Sequence, residues 1–273
     1  MKICVCEFPD EGELKAPAWD ALVAHTVMAK PDLVVLPEMP FCRWIFIGDS
    51  VDLLQWRDAL EKHDVMIGRF RELACQWVAS SRPVERENRR FNEAFLWSSN
   101  AGYQQVRRKW YLPDAPTARE TLWFHQGDRN FGSIRCGPTS LGFQLCSEMM
   151  FPEHAREIGW TNAHLIVQPR AAGDGVRWRV ASQMSALSSG CFVASANRRS
   201  YDQGWFSGES WLLTPDALSI AETSVGEPFV TIEIDVAVAD HAKRTYPRDL
   251  QKRYLDPLTK KPANRQLSKD IHP

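Results

Sequence analysis

The sequence predicts a layered α/β or α+β sandwich built as one domain, and three observations predict it. Apolar, β-branched runs alternate with longer helical patterns through the first 240 residues. Hairpin signals stand among the crossovers. The composition, 44% hydrophobic and 25% charged over 273 residues, is that of a globular chain long enough to bury a substantial core.

The elements follow in order. "KICVCEF" (2–8) reads as a strand, and its period of two puts Cys4 and Cys6 on one side. No nearby His or second Cys pair completes a metal site there, so the two thiols read as core packing. "APAWDALVAHTVMAK" (16–30) is an amphipathic helix, and "DLVVLPE" (32–38) a short buried strand closed by Pro37. Residues 51–79 read as mostly helical before a short strand. "RRFNEAFLWSSNAGYQQVRRKW" (89–110) has two strand-like halves around Asn100-Ala101-Gly102, a hairpin signal. A short strand near 131–136 leads to the apolar run that stops at Cys146. Then come a helix near 152–160, a strand over 163–169 and a helix over 177–190, followed by strands over 191–197, 210–215 and 229–235.

From residue 241 the composition changes, giving a domain over 1–240 and a basic arm over 241–273. The arm carries nine Lys/Arg against three Asp, a net +6, and leaves the body at -7. That complementarity suits an arm docked on its own domain or on a neighbouring subunit. No aromatic-interleaved basic motif points to nucleic acid. Seven Cys is an odd number without a regular disulfide spacing. The chain shows no signal-peptide pattern and no apolar run approaching a membrane span. These features predict a cytoplasmic protein with neither a membrane nor a nucleic-acid partner.

Three reactive residues each close an apolar run: Glu38 after "LVVLP", Lys109 after "YQQVRR" and Cys146 after "LGFQL". Strand ends on one edge of a sheet are where open α/β proteins gather their sites. Singly, each has a bland reading: a solvated loop glutamate, a lysine on a charged face, an inert core thiol. Together, a thiol, a carboxylate and an ammonium can perform acyl transfer. The thiol is the nucleophile, the carboxylate takes its proton and the ammonium holds the oxyanion.

The flanking residues sharpen this. "DLVVLPEMPF", "FNEAFLWSSNAGYQQVRRKWYLP", "LCSEMMFPEHAR" and "ASANRRS" with "WFSGESWLLTP" resemble, in order and spacing, the motifs of the nitrilase or carbon–nitrogen hydrolase superfamily, over nearly the whole chain. The resemblance implies a four-layer α-β-β-α sandwich and a triad of Glu38, Lys109 and Cys146. It also places the second family glutamate at Glu120, in "ARETLWFHQGD". It implies hydrolysis of a non-peptide C–N bond of a small carboxamide, with the Ser147 N–H helping to hold the oxyanion and no metal or cofactor. It further implies a homodimer or higher homo-oligomer built near residues 152–160.

Departures from the family pattern narrow the chemistry. Cys146-Ser147-Glu148 differs from the Cys-Trp-Glu of nitrilases proper. Met149 and Met150 stand where carbamoyl-amino-acid hydrolases carry basic residues, and Arg170 in "VQPRAAG" is the candidate replacement cation. Asp216-Ala217 stands where the family has a Gly. Phe41, Trp44, Trp110, Met149, Met150 and Trp205 flank the motifs and suit an apolar, aromatic pocket. The expected substrate contacts are Phe41, Trp110, Ser147, Glu148, Met149 and Arg170. Alternatives with the same four catalytic residues are an N-carbamoyl-amide hydrolase or a nitrilase. A catalytically silent binding or scaffold protein of this fold is the alternative of another class.

Overall fold

A computed structural model describes residues 1–250 apart from Ile47, Thr117 and Gln203. Residues 251–273 of the expected arm lie outside the described residues.

The first half contains β1 (Lys2–Pro9), α1 (Lys15–Ala29), β2 (Leu33–Glu38), α2 (Leu53–Arg69), β3 (Trp77–Arg86), β4 (Arg89–Ser98) and β5 (Gly102–Arg108). A small ribbon, β6 (Asp114–Ala115) and β7 (Ala118–Arg119), runs into the one-turn α3 (Glu120–Trp123). The second half contains β8 (Ser133–Cys136), β9 (Thr139–Phe143), α4 (Pro152–Trp160), β10 (Leu165–Arg170), α5 (Val176–Ser189) and β11 (Phe192–Arg199). β12 (Trp211–Leu213), β13 (Ser219–Glu222), β14 (Phe229–Glu233) and α6 (Ala237–Lys243) complete it.

Among the described residues these strands form two facing sheets. One is ordered β5-β4-β3-β2-β1-β14 and the other β8-β9-β10-β11-β12-β13. β1 belongs to both: Ile3–Val5 pair with Leu33–Val35 of β2, and Glu7–Pro9 pair with Asn197–Arg199 of β11.

Side-chain alternation makes the layers. Ile3 and Val5 face the opposite sheet and meet Leu165, Val167 and Phe192. Cys4, Cys6 and Phe8 face the other way, onto Trp19 and Leu22 of α1 and onto Phe70. The Cys4 and Cys6 sulfurs lie 3.7 Å apart in this core, on one side as the alternation predicts. Across the molecule, Ile166, Val193 and Leu213 meet Ala155, Ile158 and Ala186 of α4 and α5. The result is the α-β-β-α sandwich, and each large apolar side chain so buried contributes about 1.5–3 kcal/mol.

Local signals fix the helix ends. Asp52 caps α2 by accepting from Leu54 N and Gln55 N. Pro152 opens α4, where its missing N–H costs nothing. Gly190, at φ +70, ends α5.

The strand before the hairpin is longer than its sequence suggests. β3 pairs with β4 over ten residues, through a two-residue turn at Glu87-Asn88 with both φ values positive. Pro83 is tolerated because β2 pairs with β3 only up to Ser81. No helix among the described residues is long and apolar enough to cross a membrane.

Candidate active site

The ends of β2 and β5 and the chain after β9 converge. Glu38 is the last residue of β2, Lys109 follows β5, and Cys146 opens a 3-10 turn three residues beyond β9. Glu120 comes from the start of α3. Lys109 Nζ donates to Glu38 Oε1 and to Glu120 Oε1, each at 2.8 Å. Asn92 Nδ2, from the middle of β4, donates to the same Glu38 oxygen at 2.7 Å. All four side chains are buried. Glu38 Oε2 and Glu120 Oε2 have no hydrogen-bond partner among the described residues, so each carboxylate keeps one oxygen free.

Two backbone positions here are in the left-handed region: Met39 at φ +44, directly after Glu38, and Cys146 at φ +46. Non-glycine residues are held there only where surrounding structure over-determines them, as at functional sites. Cys146 Sγ points to the Ala171 carbonyl at 3.9 Å.

The electrostatics assign resting protonation. Burial opposes the Lys109 charge, but the Glu120 and Glu38 carboxylates outweigh it and hold the ammonium above the ordinary lysine range. Burial, and then Glu38, push the Cys146 thiol up, with Lys109 pulling the other way. The sulfur therefore rests as a thiol and needs a base. Burial lifts Glu120 from 4.5 to about 7, against the pull of Lys109.

A pH prediction follows from Glu120. Its folded value is raised, so folding binds the proton more tightly. That stabilisation is complete below pH 4.5 and is lost as pH rises through about 7. Melting temperatures of wild type and Glu120→Gln across pH 5 to 8, about the span of this titration, should show the slope in wild type and a flatter curve in the variant.

Two buried ion pairs hold the site in register. Arg198 donates to the carbonyls of Met39 at 2.6 Å and Cys42 at 2.5 Å and pairs with Asp10, fixing the chain that leaves Glu38. Glu148 ties the chain beside Lys109 to the chain beside Cys146. Its carboxylate accepts from both terminal nitrogens of Arg107, from Trp110 N at 2.7 Å and from Leu145 N at 2.8 Å. Trp110 follows Lys109 and Leu145 precedes Cys146, so one carboxylate grips both neighbours. Arg107→Met would leave that carboxylate buried without its cation, at an expected cost of about 3–5 kcal/mol. Denaturant melts of the variant check this.

The expected substrate contacts divide by position. Trp110 and Ser147 line a cavity of about 700 Å³ with Tyr111, Phe124, Met150 and Phe151. Phe41 packs against Phe8, Trp19 and Phe70 in the helix-facing core instead of on this cavity, because its ring faces α1. Met149 is fully buried, and Glu148 is saturated by the donors named above. Arg170 donates to Ser195 Oγ at 2.6 Å and to the Glu209 carbonyl at 2.7 Å, and it stacks on Trp211. Gln168, two residues earlier on the same side of β10, bonds Ser182 and Ser185 of α5. Arg170 therefore lies toward the helix layer. Trp44 joins Phe46 and Phe206 in an aromatic cluster, and Trp205 is partly exposed. The missing family glycine falls at Ala217, which takes φ +64, the conformation glycine would favour.

Sequence reasoning passed over Asn92, Arg107 and Arg198. Asn92 and Arg198 stand inside motif segments without a role assigned to them, and Arg107 reads as part of a charged face beside Lys109. Only the fold shows that all three are buried.

Comparison with known proteins agrees with the fold. The family model described as "Carbon-nitrogen hydrolase" matches residues 15–244. N-carbamoylputrescine amidase of Oryza sativa subsp. japonica is 27% identical over 145 residues, 52% of this chain and 48% of that protein. The chain spans about half the length of the curated relatives it matches. The crystal structure of a carbon-nitrogen hydrolase from Helicobacter pylori G27 superposes with a TM-score of 0.80 at 20% identity, covering 94% of this chain and 99% of that one. An amidase from Nesterenkonia sp. superposes at 0.71 with 20% identity, covering 93% and 96%. With the family model spanning most of its length, the chain belongs to the carbon-nitrogen hydrolase family.

Proposed function

We propose that the protein hydrolyses the C–N bond of a small carboxamide through a thioester on Cys146. The observation that carries this reading is the buried Glu38–Lys109–Glu120 cluster around a thiol that needs a base. Glu38, with Oε2 free, accepts the thiol proton as sulfur attacks the amide carbon. Lys109 and the Ser147 N–H stabilise the oxyanion. The C–N bond breaks as Glu38 returns the proton to nitrogen, and ammonia or an amine departs from the thioester. Glu38 then takes a proton from water, whose oxygen attacks the thioester carbon. The acid leaves and the sulfur regains its proton. Glu120 holds Lys109 from the far side.

An N-carbamoyl amide is the second reading, favoured by the name of the rice relative. Ammonia release from a panel of carboxamides, carbamoyl compounds and nitriles tests both, with mass spectrometry of a covalent adduct on Cys146. Ammonia from carboxamides with an acyl adduct supports the first. Ammonia release from carbamoyl compounds but not carboxamides supports the second. No turnover on any of them supports the silent scaffold.

The protein is further proposed to be cytoplasmic and to assemble as at least a homodimer, using α4 and the basic arm. Trp160 on α4 and Val180, Met184 and Leu187 on α5 are exposed apolar side chains that an assembly would cover. Arg248, near the arm's start, is anchored to the Leu187 carbonyl and to Asp216. Because α6 runs across the expected boundary at 240, light scattering on the full chain and on a truncation after Arg244, which spares the helix, checks this. A dimer weakened by truncation is expected; a full-length monomer refutes the assembly, and an unchanged oligomer refutes the arm's part in it.

A further inference from the structure

The cavity beside the triad carries information about the acyl group of the substrate. It is walled by the immediate chain neighbours of three reactive residues: Trp110 after Lys109, Thr121 after Glu120 and Ser147 after Cys146. The cavity wall therefore adjoins the chain at all three residues. At about 700 Å³ the space is of the size that accommodates small molecules.

The wall is apolar in effect as well as in composition. Among the described residues, none of the ten that line it carries a charge. Three of its polar side chains are already committed to protein partners. Ser147 Oγ donates to the Tyr111 carbonyl at 2.7 Å, and Gln126 Nε2 donates to the Trp110 carbonyl at 2.9 Å. The Tyr111 hydroxyl lies 2.9 Å from His154 Nε2, and its ring stacks on Phe151 at 3.9 Å. The cations nearest the triad residues along the chain, Lys109 and Arg107, are engaged by carboxylates, Lys109 by Glu38 and Glu120 and Arg107 by Glu148. A charged substituent lying along this wall would find no counter-charge there, whereas an apolar one would cover apolar surface.

From this wall we infer that the cavity is the acyl pocket and selects amides whose acyl group is uncharged and apolar, rejecting those that carry a carboxylate or an ammonium at the far end. The inference rests on the amide-hydrolase reading of the triad. In it, Trp110, Tyr111, Met150 and Phe151 are specificity-determining and the polar chemistry is confined to the amide end.

A matched trio of primary amides tests it: hexanamide, its ω-amino derivative and adipic acid monoamide, alike in length and different in end charge. Calorimetry on Cys146→Ala protein reads binding without turnover, and ammonia release by wild type reads kcat/KM. Hexanamide is expected to bind at least about tenfold more tightly than either charged analogue and to exceed them on the order of a hundredfold in kcat/KM. Met150→Lys, which puts an ammonium on the wall, should narrow the gap for adipic acid monoamide and leave the ω-amino compound rejected. A charged amide bound or turned over as well as hexanamide overturns the inference, as does failure of all three to bind. Neutral-selective binding without hydrolysis by wild type upholds the pocket and refutes the hydrolase reading instead.

Discussion

Cys146→Ala protein is expected to fold like the wild type and to release no ammonia from any amide. The substitution removes one buried sulfur atom, a volume change of the mild kind that a packed interior tolerates. It also removes the thiol proposed as the nucleophile, which feels the charges of Glu38 and Lys109. The remaining six Cys cannot substitute for it: Cys4, Cys6 and Cys75 lie in the helix-facing core, and the others are distributed through separate parts of the interior. Cys146→Ser tests the same point more severely, since an alkoxide is far harder to generate than a thiolate. Retained turnover in a preparation free of contaminating enzyme would remove Cys146 from the mechanism.

Glu38→Gln and Lys109→Ala are each expected to lose on the order of a hundredfold or more in kcat, for different reasons. Gln keeps the volume of Glu38 and can still accept from Asn92, so the fold is retained while the base is lost. The thiol, already pushed up by burial, then has nowhere to send its proton. Lys109→Ala leaves Glu38 and Glu120 buried side by side without the ammonium between them. One of them must then take up a proton, so this variant should melt at lower temperature as well as react slowly. Near-wild-type rates in either would show the triad to be misassigned. Melting curves beside the kinetics separate a lost base from a damaged fold.

The architecture was largely legible because two periods are written plainly into the chain. Ile3 and Val5 against Cys4 and Cys6 spell a strand covered on both faces, and Asn100-Ala101-Gly102 spells a hairpin. β3 was harder to see. Arg82, Pro83 and Glu85 look like a loop, and they belong to a strand because β4 supplies a partner along its whole length. The candidate site divides the same way. Strand-end positions marked Glu38, Lys109 and Cys146, and motif resemblance marked Glu120. Asn92 and Arg198 lie in motif segments and Arg107 beside Lys109, yet none received a role, since a buried polar group is recognisable only once its partner is in place. Phe41 and Trp44 stand beside motifs in the sequence, yet their rings pack into the core, where nearness along the chain says nothing about facing.

β1 shares its pairing between both sheets, Ile3–Val5 with one and Glu7–Pro9 with the other. Glu38 and Lys109 hang from the first sheet and Cys146 from the second, so sheet stacking sets the distance across which the proposed reaction would occur. The first half of the chain supplies Glu38, Lys109 and Glu120 and the second half Cys146, so neither holds the proposed site alone. Until Glu7 finds Asn197, a pairing of great sequence separation and hence slow to form, the protein can have its helices and hairpins and still be inert. Turnover should therefore be the last signal to return when the unfolded chain is renatured.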